Sequence, residues 1–180
     1  MLVYHGTNNM FTNFDYNKIG QHGTSEGQGF YFTDNKEVAA AYATNGYLLT
    51  VEYQANKPLA FTQKKITKQQ LKSYFRELHK INECLWNYTD VDFVGMDFAL
   101  TTAVDLEYNS ATNDVDMICS ICNGCGSVED GLKTLYRVLG YDSIQTAADW
   151  GKQNLYIALV NDIIKIVDVE SLKDSRRMVA

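Results

Sequence analysis

Gly29-Phe30-Tyr31-Phe32-Thr33-Asp34-Asn35-Lys36-Glu37-Val38-Ala39-Ala40-Ala41-Tyr42 decides how this chain folds. The first half is aromatic and β-favouring, so Phe30–Thr33 is expected to be a strand. The second half changes character. Asp34 reads as a helix cap with Glu37, three residues on, as its capping-box partner. Three consecutive alanines then carry a helix from about Lys36 to Ala43, and Gly46 fits its end. A strand that passes directly into a short helix is the unit from which the rest is read.

On the N-terminal side, Leu2–Tyr4 is a short strand running into His5-Gly6-Thr7. Asn8–Gln28, rich in Asn, Gly, Ser and Gln, is a loop with at most a short helix. On the C-terminal side, Tyr47–Tyr53 alternates as a strand and leads to Lys57-Pro58-Leu59. Leu71, Phe75, Leu78 and Leu85 recur at helical spacing, which predicts a helix from Thr67 to about Leu85. A second helix is expected over Val91–Thr102. Leu106–Asn123 is polar and shows no clear period. Ser127 is placed to cap a helix through Leu139, with Leu132, Leu135, Tyr136 and Leu139 as its buried stripe and Gly140 as its stop. Strands are expected at Tyr141–Gln145, Leu155–Val160 and Ile163–Val169, with Asn161-Asp162 as a tight turn.

Strands therefore lie at both ends and helices in the middle, which is an α+β pattern and not a βαβ series. No G-x-G-x-x-G follows a strand and opens a helix, so a Rossmann site is not expected. The 180 residues are 46% hydrophobic, with twelve glycines against one proline, which excludes disorder and low complexity. Net charge is −6 at pH 7. That balance disfavours nonspecific nucleic-acid binding, although Lys64, Lys65 and Lys68 form a local basic stretch, read as a solvated helix start. The opening Met1-Leu2-Val3-Tyr4-His5 has no charged, apolar leader, and no long apolar run follows. The expectation is a cytoplasmic protein with no membrane partner. Of four cysteines, Cys119, Cys122 and Cys125 form two C-x-x-C steps. The usual second pair of a zinc site is missing, so reduced thiols are expected and no metal.

Two segments together carry the chemistry: Tyr4-His5-Gly6-Thr7 at a strand end, and Gly29-Phe30-Tyr31 through Tyr42. A histidine at a strand end presents a ring nitrogen to a ribose hydroxyl. The following glycine leaves a backbone N–H and C=O open to a flat ligand, and a carboxamide needs one donor and one acceptor. Tyr31 and Tyr42 offer two aromatic faces that clamp a planar ring; each stack contributes about 0.5–1.5 kcal/mol beyond area burial. A pyridinium adds about 0.5–2 kcal/mol of cation–π attraction. Such a pocket fits nicotinamide. Taken singly, Tyr4-His5-Gly6-Thr7 is a weak signal and Tyr42 is more often a core residue than a ligand contact. Their joint occurrence in this order is what makes the reading specific.

The pair of segments resembles the diphtheria-toxin-like ADP-ribosyltransferases, the class named for a His, a Tyr and a Glu. The likeness is close over Gly29–Tyr42. The C-terminal run Gly140-Tyr141-Asp142-Ser143-Ile144, Tyr156–Val160 and Ile163-Ile164-Lys165 is similar to small phage and mobile-element members. The resemblance implies a split β-sheet core with a helical insertion at about residues 64–126, all within one domain spanning residues 1–180. It implies NAD+ as substrate, cleaved at the nicotinamide–ribose bond, with ADP-ribose passed to a macromolecular acceptor. Protein is the favoured acceptor and nucleic acid the other, in the setting of a phage effector or toxin. His5 would bind the nicotinamide ribose and Gly6 the carboxamide, and Tyr31 and Tyr42 would sandwich the ring. Tyr4, Thr7, Gly29 and Phe30 complete the expected cofactor-binding set.

The chain departs from that pattern at one position. Aligned on Tyr156-Ile157, the family glutamate falls on Leu155, which neither stabilises a cation nor accepts a proton. Gln153, on the same strand face as Leu155, and the adjacent Asn154 are the nearest polar side chains. A bulge or a one-residue shift would bring either amide into the site. Asp149, in a loop before this strand, is a candidate carboxylate. Glu129 opens a helix and reads as dipole stabilisation, and Glu26 lies in the early polar loop. Three readings stay open: a replaced third catalytic group, an acidic or strongly nucleophilic acceptor, or a chain that binds NAD+ or ADP-ribose without turnover. An interaction protein with a vestigial cleft is the fourth.

Overall fold

A computed structural model describes residues 1–21, 26–148 and 153–172. Seven strands form one sheet: β1 (Leu2–Thr7), β2 (Phe30–Thr33), β3 (Tyr47–Tyr53), β4 (Pro58–Leu59), β5 (Ser143–Ala148), β6 (Gln153–Ala158) and β7 (Ile164–Ser171). Their order across the sheet is β4-β5-β6-β2-β1-β3-β7. The short β4 runs parallel to β5, and every other neighbour is antiparallel. The fold is α+β, as the segregation of strands and helices predicts.

The helices among the described residues are α1 (Lys36–Ala41), α2 (Lys68–Asn82), α3 (Val91–Val94), α4 (Met96–Ser110), α5 (Asp114–Gly124) and α6 (Val128–Leu139). All but α1 fall between β4 and β5. Those two strands are themselves neighbours, so the chain leaves the sheet and returns to it at one seam. There Asp142, only 1% exposed, accepts from the backbone N–H groups of Asn56 at 2.8 Å and Lys57 at 3.1 Å.

Several boundaries differ from the sequence reading, each for a local reason. Asn35, not Asp34, caps α1: its side chain accepts from the N–H groups of Glu37 and Val38. Asp34 instead accepts from Asn154 Nδ2 at 2.6 Å. The helix begun at Thr67, with Gln70 completing its capping box, ends at Asn82 because Glu83 turns left-handed, and a 3-10 turn follows at Cys84–Asn87. Val91–Thr102 is not one helix; it breaks at Gly95, whose φ is +80°. The unperiodic stretch Leu106–Asn123 is helical for most of its length. Buried Glu107 takes a hydrogen bond from Tyr88, and buried Asp114 takes two from Lys65 and Ile66. Its polar residues therefore face inward as well as outward, which hides the period. The α6 reading holds, from the Ser127 cap to left-handed Gly140. Glu129 lies in its first turn and pairs with Lys133.

Lys64 and Lys68 do more than solvate a helix start. Lys64 Nζ donates to the Tyr108 and Ala111 carbonyls, and Lys68 pairs with Asp105, tying the start of α2 to the end of α4. No helix among the described residues is long and apolar enough to cross a membrane.

Candidate active site

Strand pairing explains the site. Met1 and Tyr53 exchange both backbone hydrogen bonds, at 3.0 and 2.8 Å. In an antiparallel pair such exchange recurs at every second residue. Val3, His5 and Thr7 therefore bond to β3, and Tyr4 and Gly6 turn their N–H and C=O towards β2. Yet β1 and β2 pair only at Tyr4 and Thr33. Continued pairing would set Gly6 opposite Tyr31. Instead His5 Nδ1 donates to the Tyr31 carbonyl at 2.8 Å. The side chain of His5 occupies the acceptor that Gly6 would have used, and the sheet splits. The Gly6 N–H and C=O are left facing the opening, the donor–acceptor pair that a carboxamide needs.

The histidine is suited to this role. It packs edge-on against Phe11 and Phe14 and tilted against Phe32. Burial lowers its pKa, an effect the bond to Tyr31 only partly offsets. A neutral ring with its proton on Nδ1 keeps a lone pair on Nε2, an acceptor for a hydroxyl.

Gly6 is required for a second reason. A Cβ there would lie 1.8 Å from the Ala39 carbonyl oxygen of α1. That close approach holds α1 against β1 and so fixes Tyr42, which terminates the helix. Tyr42 is 73% exposed, an aromatic face that the protein itself does not cover. Tyr31 is half-buried, and its hydroxyl donates to the Gly27 carbonyl. Burial first, then the nearby Glu26 carboxylate, raises its pKa and keeps the phenol neutral.

All eight residues of the expected cofactor-binding set, Tyr4, His5, Gly6, Thr7, Gly29, Phe30, Tyr31 and Tyr42, line one cleft of ≈ 1180 Å³. That is large for a mononucleotide and ample for a dinucleotide. The family model described as ADP-ribosyltransferase in polyvalent proteins matches residues 1–171. The chain belongs to this family. No curated protein and no solved structure matches it.

In this member of the ADP-ribosyltransferase family, Leu155 also lines the cleft, half-buried, opposite Thr33 and Thr146. An aliphatic side chain therefore stands at the position where the sequence alignment seeks a glutamate. The other candidates divide. Asn154 is exposed, bonded to Asp34, and is not among the cleft residues, so the shift proposed for it from sequence does not occur. Gln153 opens β6, opposite Ala148, but its side chain lies outside the described residues, as does Asp149.

Sequence reasoning missed the contribution of the early loop. Phe11, Phe14, Asp15 and Lys18 line the cleft, beside Glu26, which the sequence offers as a minor candidate. Asp15 caps a 3-10 turn at Tyr16–Lys18, accepting from the Asn17 N–H at 2.9 Å. Tyr16 anchors that turn to the core by packing edge-on against Phe30 and by accepting from the Asn161 N–H. The signal lay in the spacing of Phe11, Phe14 and Tyr16, apolar residues that a solvated loop does not need.

Among the described residues, no group of three or more His, Cys, Asp or Glu is placed to hold a metal ion, and all four cysteines are free. Burial raises the Cys119 and Cys122 thiol pKa values. Cys119 Sγ accepts from the Gln28 N–H at 3.3 Å, which joins α5 to the segment before β2.

Proposed function

We propose that this domain binds NAD+ in the split between β1 and β2, releases nicotinamide, and transfers ADP-ribose to a protein acceptor. The observation that carries the reading is the outward-facing Gly6 backbone between the neutral His5 ring and the two tyrosines. The carboxamide bonds Gly6, a ribose hydroxyl donates to His5 Nε2, and the pyridinium lies between Tyr31 and Tyr42. Lys18, the one lysine or arginine among the described cleft residues, faces the diphosphate. Nicotinamide leaves as a neutral molecule and positive charge develops on the ribose. A nearby carboxylate stabilises that charge and helps deprotonate the acceptor. Leu155 supplies neither, so the charge comes from another carboxylate, Asp149 in the β5–β6 connection or Glu26 beside Tyr31, while Gln153 at the start of β6 can bind a ribose hydroxyl but supplies no charge. The helices between β4 and β5, including the expected insertion at about 64–126, serve acceptor choice. A phage-effector or toxin role in a host cytoplasm fits this chemistry.

A second reading, NAD+ or ADP-ribose binding without turnover, is favoured by Leu155 itself. One experiment separates the two. The protein is incubated with NAD+ labelled in its adenylate half and with cell lysate, and nicotinamide release and protease-sensitive label are followed. Wild type releases nicotinamide and labels protein. Tyr31→Ala loses both by at least about tenfold, from lost stacking and cation–π attraction. Lys18→Ala weakens NAD+ binding by a similar factor and leaves free nicotinamide binding unchanged. Saturable NAD+ binding with no release establishes the second reading. Label that resists protease and yields to nuclease rules out the protein acceptor.

A further inference from the structure

The connection between α3 and α4 exposes more apolar surface than any structural need explains. Phe93 is 87% exposed, Phe98 61% and Met96 42%, all within six residues. Gly95 between them breaks the helix, and a Cβ there would meet nothing within 4 Å, so the bend projects into open space. It is held from below: Val91 is buried, Asp90 caps α3 by accepting from the Phe93 N–H, and Ala99 and Leu100 enter the core. Aromatic side chains presented on a fixed bend differ from the scattered exposed residues of an ordinary surface.

Its charge is one-sided. Asp90, Asp92 and Asp97 flank the three apolar side chains, and no lysine or arginine occurs in the sequence between Lys80 and Lys133. Lys72 of α2 reaches Asp97 at 3.4 Å, an exposed pair that contributes little. The surface therefore presents apolar knobs in a negative field. It repels nucleic acid and anionic lipid and matches a partner that offers both cations and apolar side chains.

We propose that the α3–α4 bend is a docking surface for a basic, amphipathic segment of a partner protein. Phe93 and Phe98 enter apolar gaps on that segment, and Asp92 and Asp97 meet its lysines or arginines. The surface uses no residue of the NAD+ cleft, so it stands or falls separately from the cleft reading.

The test uses the full chain and a fluorescent amphipathic lysine–leucine helical peptide at physiological ionic strength. A matched glutamate–leucine peptide is the control. Wild type is expected to bind the basic peptide and not the acidic one. Phe93→Ser combined with Phe98→Ser weakens binding by about tenfold or more, the usual effect of removing anchor residues. Asp92→Lys combined with Asp97→Lys does the same, and wild-type affinity falls as salt rises. Phe93 and Phe98 are exposed, so the serine variant keeps the wild-type melting temperature; the lysine variant gives up two first-turn aspartates and the Lys72 pair, so its melting temperature falls slightly while it stays folded at the assay temperature. Equal affinity of wild type and the Phe93/Phe98 variant overturns the proposal, because net charge alone then explains binding. Two other kinds of result overturn it as well. One is a wild-type dimer in sedimentation that the serine variant dissolves, which makes a second copy the occupant. The other is equal binding of both peptides, or binding to phosphatidylcholine vesicles lost in the serine variant, which makes the surface merely apolar.

Discussion

At the scale of the residue, His5 does two jobs with one ring. Nδ1 takes the Tyr31 carbonyl and keeps the sheet open, and Nε2 is left as an acceptor. Protonation would convert that acceptor to a donor and end its bond to a ribose hydroxyl. Burial lowers the His5 pKa below its ordinary value of 6.5. The sign follows. The unfolded chain takes up this proton before the folded one, so the stability held by neutral His5 is complete above pH 6.5 and is lost as pH falls through the folded pKa. NAD+ affinity is expected to stay level as pH is lowered to 6.5 and to fall only below it, the opposite of an exposed histidine, which would already be half-charged there. His5→Gln keeps an acceptor that does not titrate, so its affinity profile should be flat through the same range. Calorimetric NAD+ titrations across mildly acidic pH check this. Parallel profiles for wild type and His5→Gln would remove His5 from the ligand.

At the scale of the element, α1 and β1 form a unit whose spacing is set by Gly6. Any side chain there meets the Ala39 carbonyl, which belongs to helix backbone and cannot rotate aside. Gly6→Ala must push α1 outward and carry Tyr42 with it. Overpacking of this kind costs about 1–3 kcal/mol. For a chain of this size that lowers Tm by roughly 2–12 °C. NAD+ affinity should fall with it. Tyr42→Ala gives the contrast: Tyr42 is exposed, so affinity falls while Tm does not change. Thermal melts and NAD+ titrations of the two variants distinguish a spacing residue from a contact residue. This element was legible in sequence because aromatic strand and alanine helix have opposite local preferences. Its cap was misread because Asp34 and Asn35 are both good caps and only tertiary contact, the Asn154 bond, assigns them. The α4–α5 region stayed illegible since Glu107 and Asp114 are buried and each takes its hydrogen bonds, on one carboxylate oxygen, from outside its own helix. The cleft residues on β1, β2 and α1 could be read one by one; Lys18 and Phe14 could not, because their place depends on Tyr16 reaching the core.

At the scale of the whole molecule, the sheet is opened at an interruption and closed at a seam. The interruption lies between β1 and β2 and forms the cleft. The seam lies at the other side, where β4 meets β5 and the helical segment departs and returns. Asp142 closes it. Its carboxylate accepts from the Asn56 and Lys57 N–H groups and from the Ser143 hydroxyl, and its own N–H donates to the Lys57 carbonyl. Its carbonyl accepts from the Leu159 N–H at 2.9 Å, so the same residue joins the loop after β3, the start of β5 and the end of β6. Removing the carboxylate leaves the buried Ser143 hydroxyl and two part-buried N–H groups without an acceptor, at up to about 1–3 kcal/mol each. Asp142→Ala should therefore lower stability by several kcal/mol, and Asp142→Asn, which keeps one acceptor oxygen, by less. Asp142 does not line the cleft. NAD+ affinity measured well below the melting temperature should therefore be unchanged in Asp142→Asn, while denaturant melts shift to lower midpoint. A melt of Asp142→Ala that overlays wild type would mean that the helical segment and the sheet are held together elsewhere. An Asp142→Asn variant with wild-type stability and weakened NAD+ binding would mean that the seam reports to the cleft through the sheet.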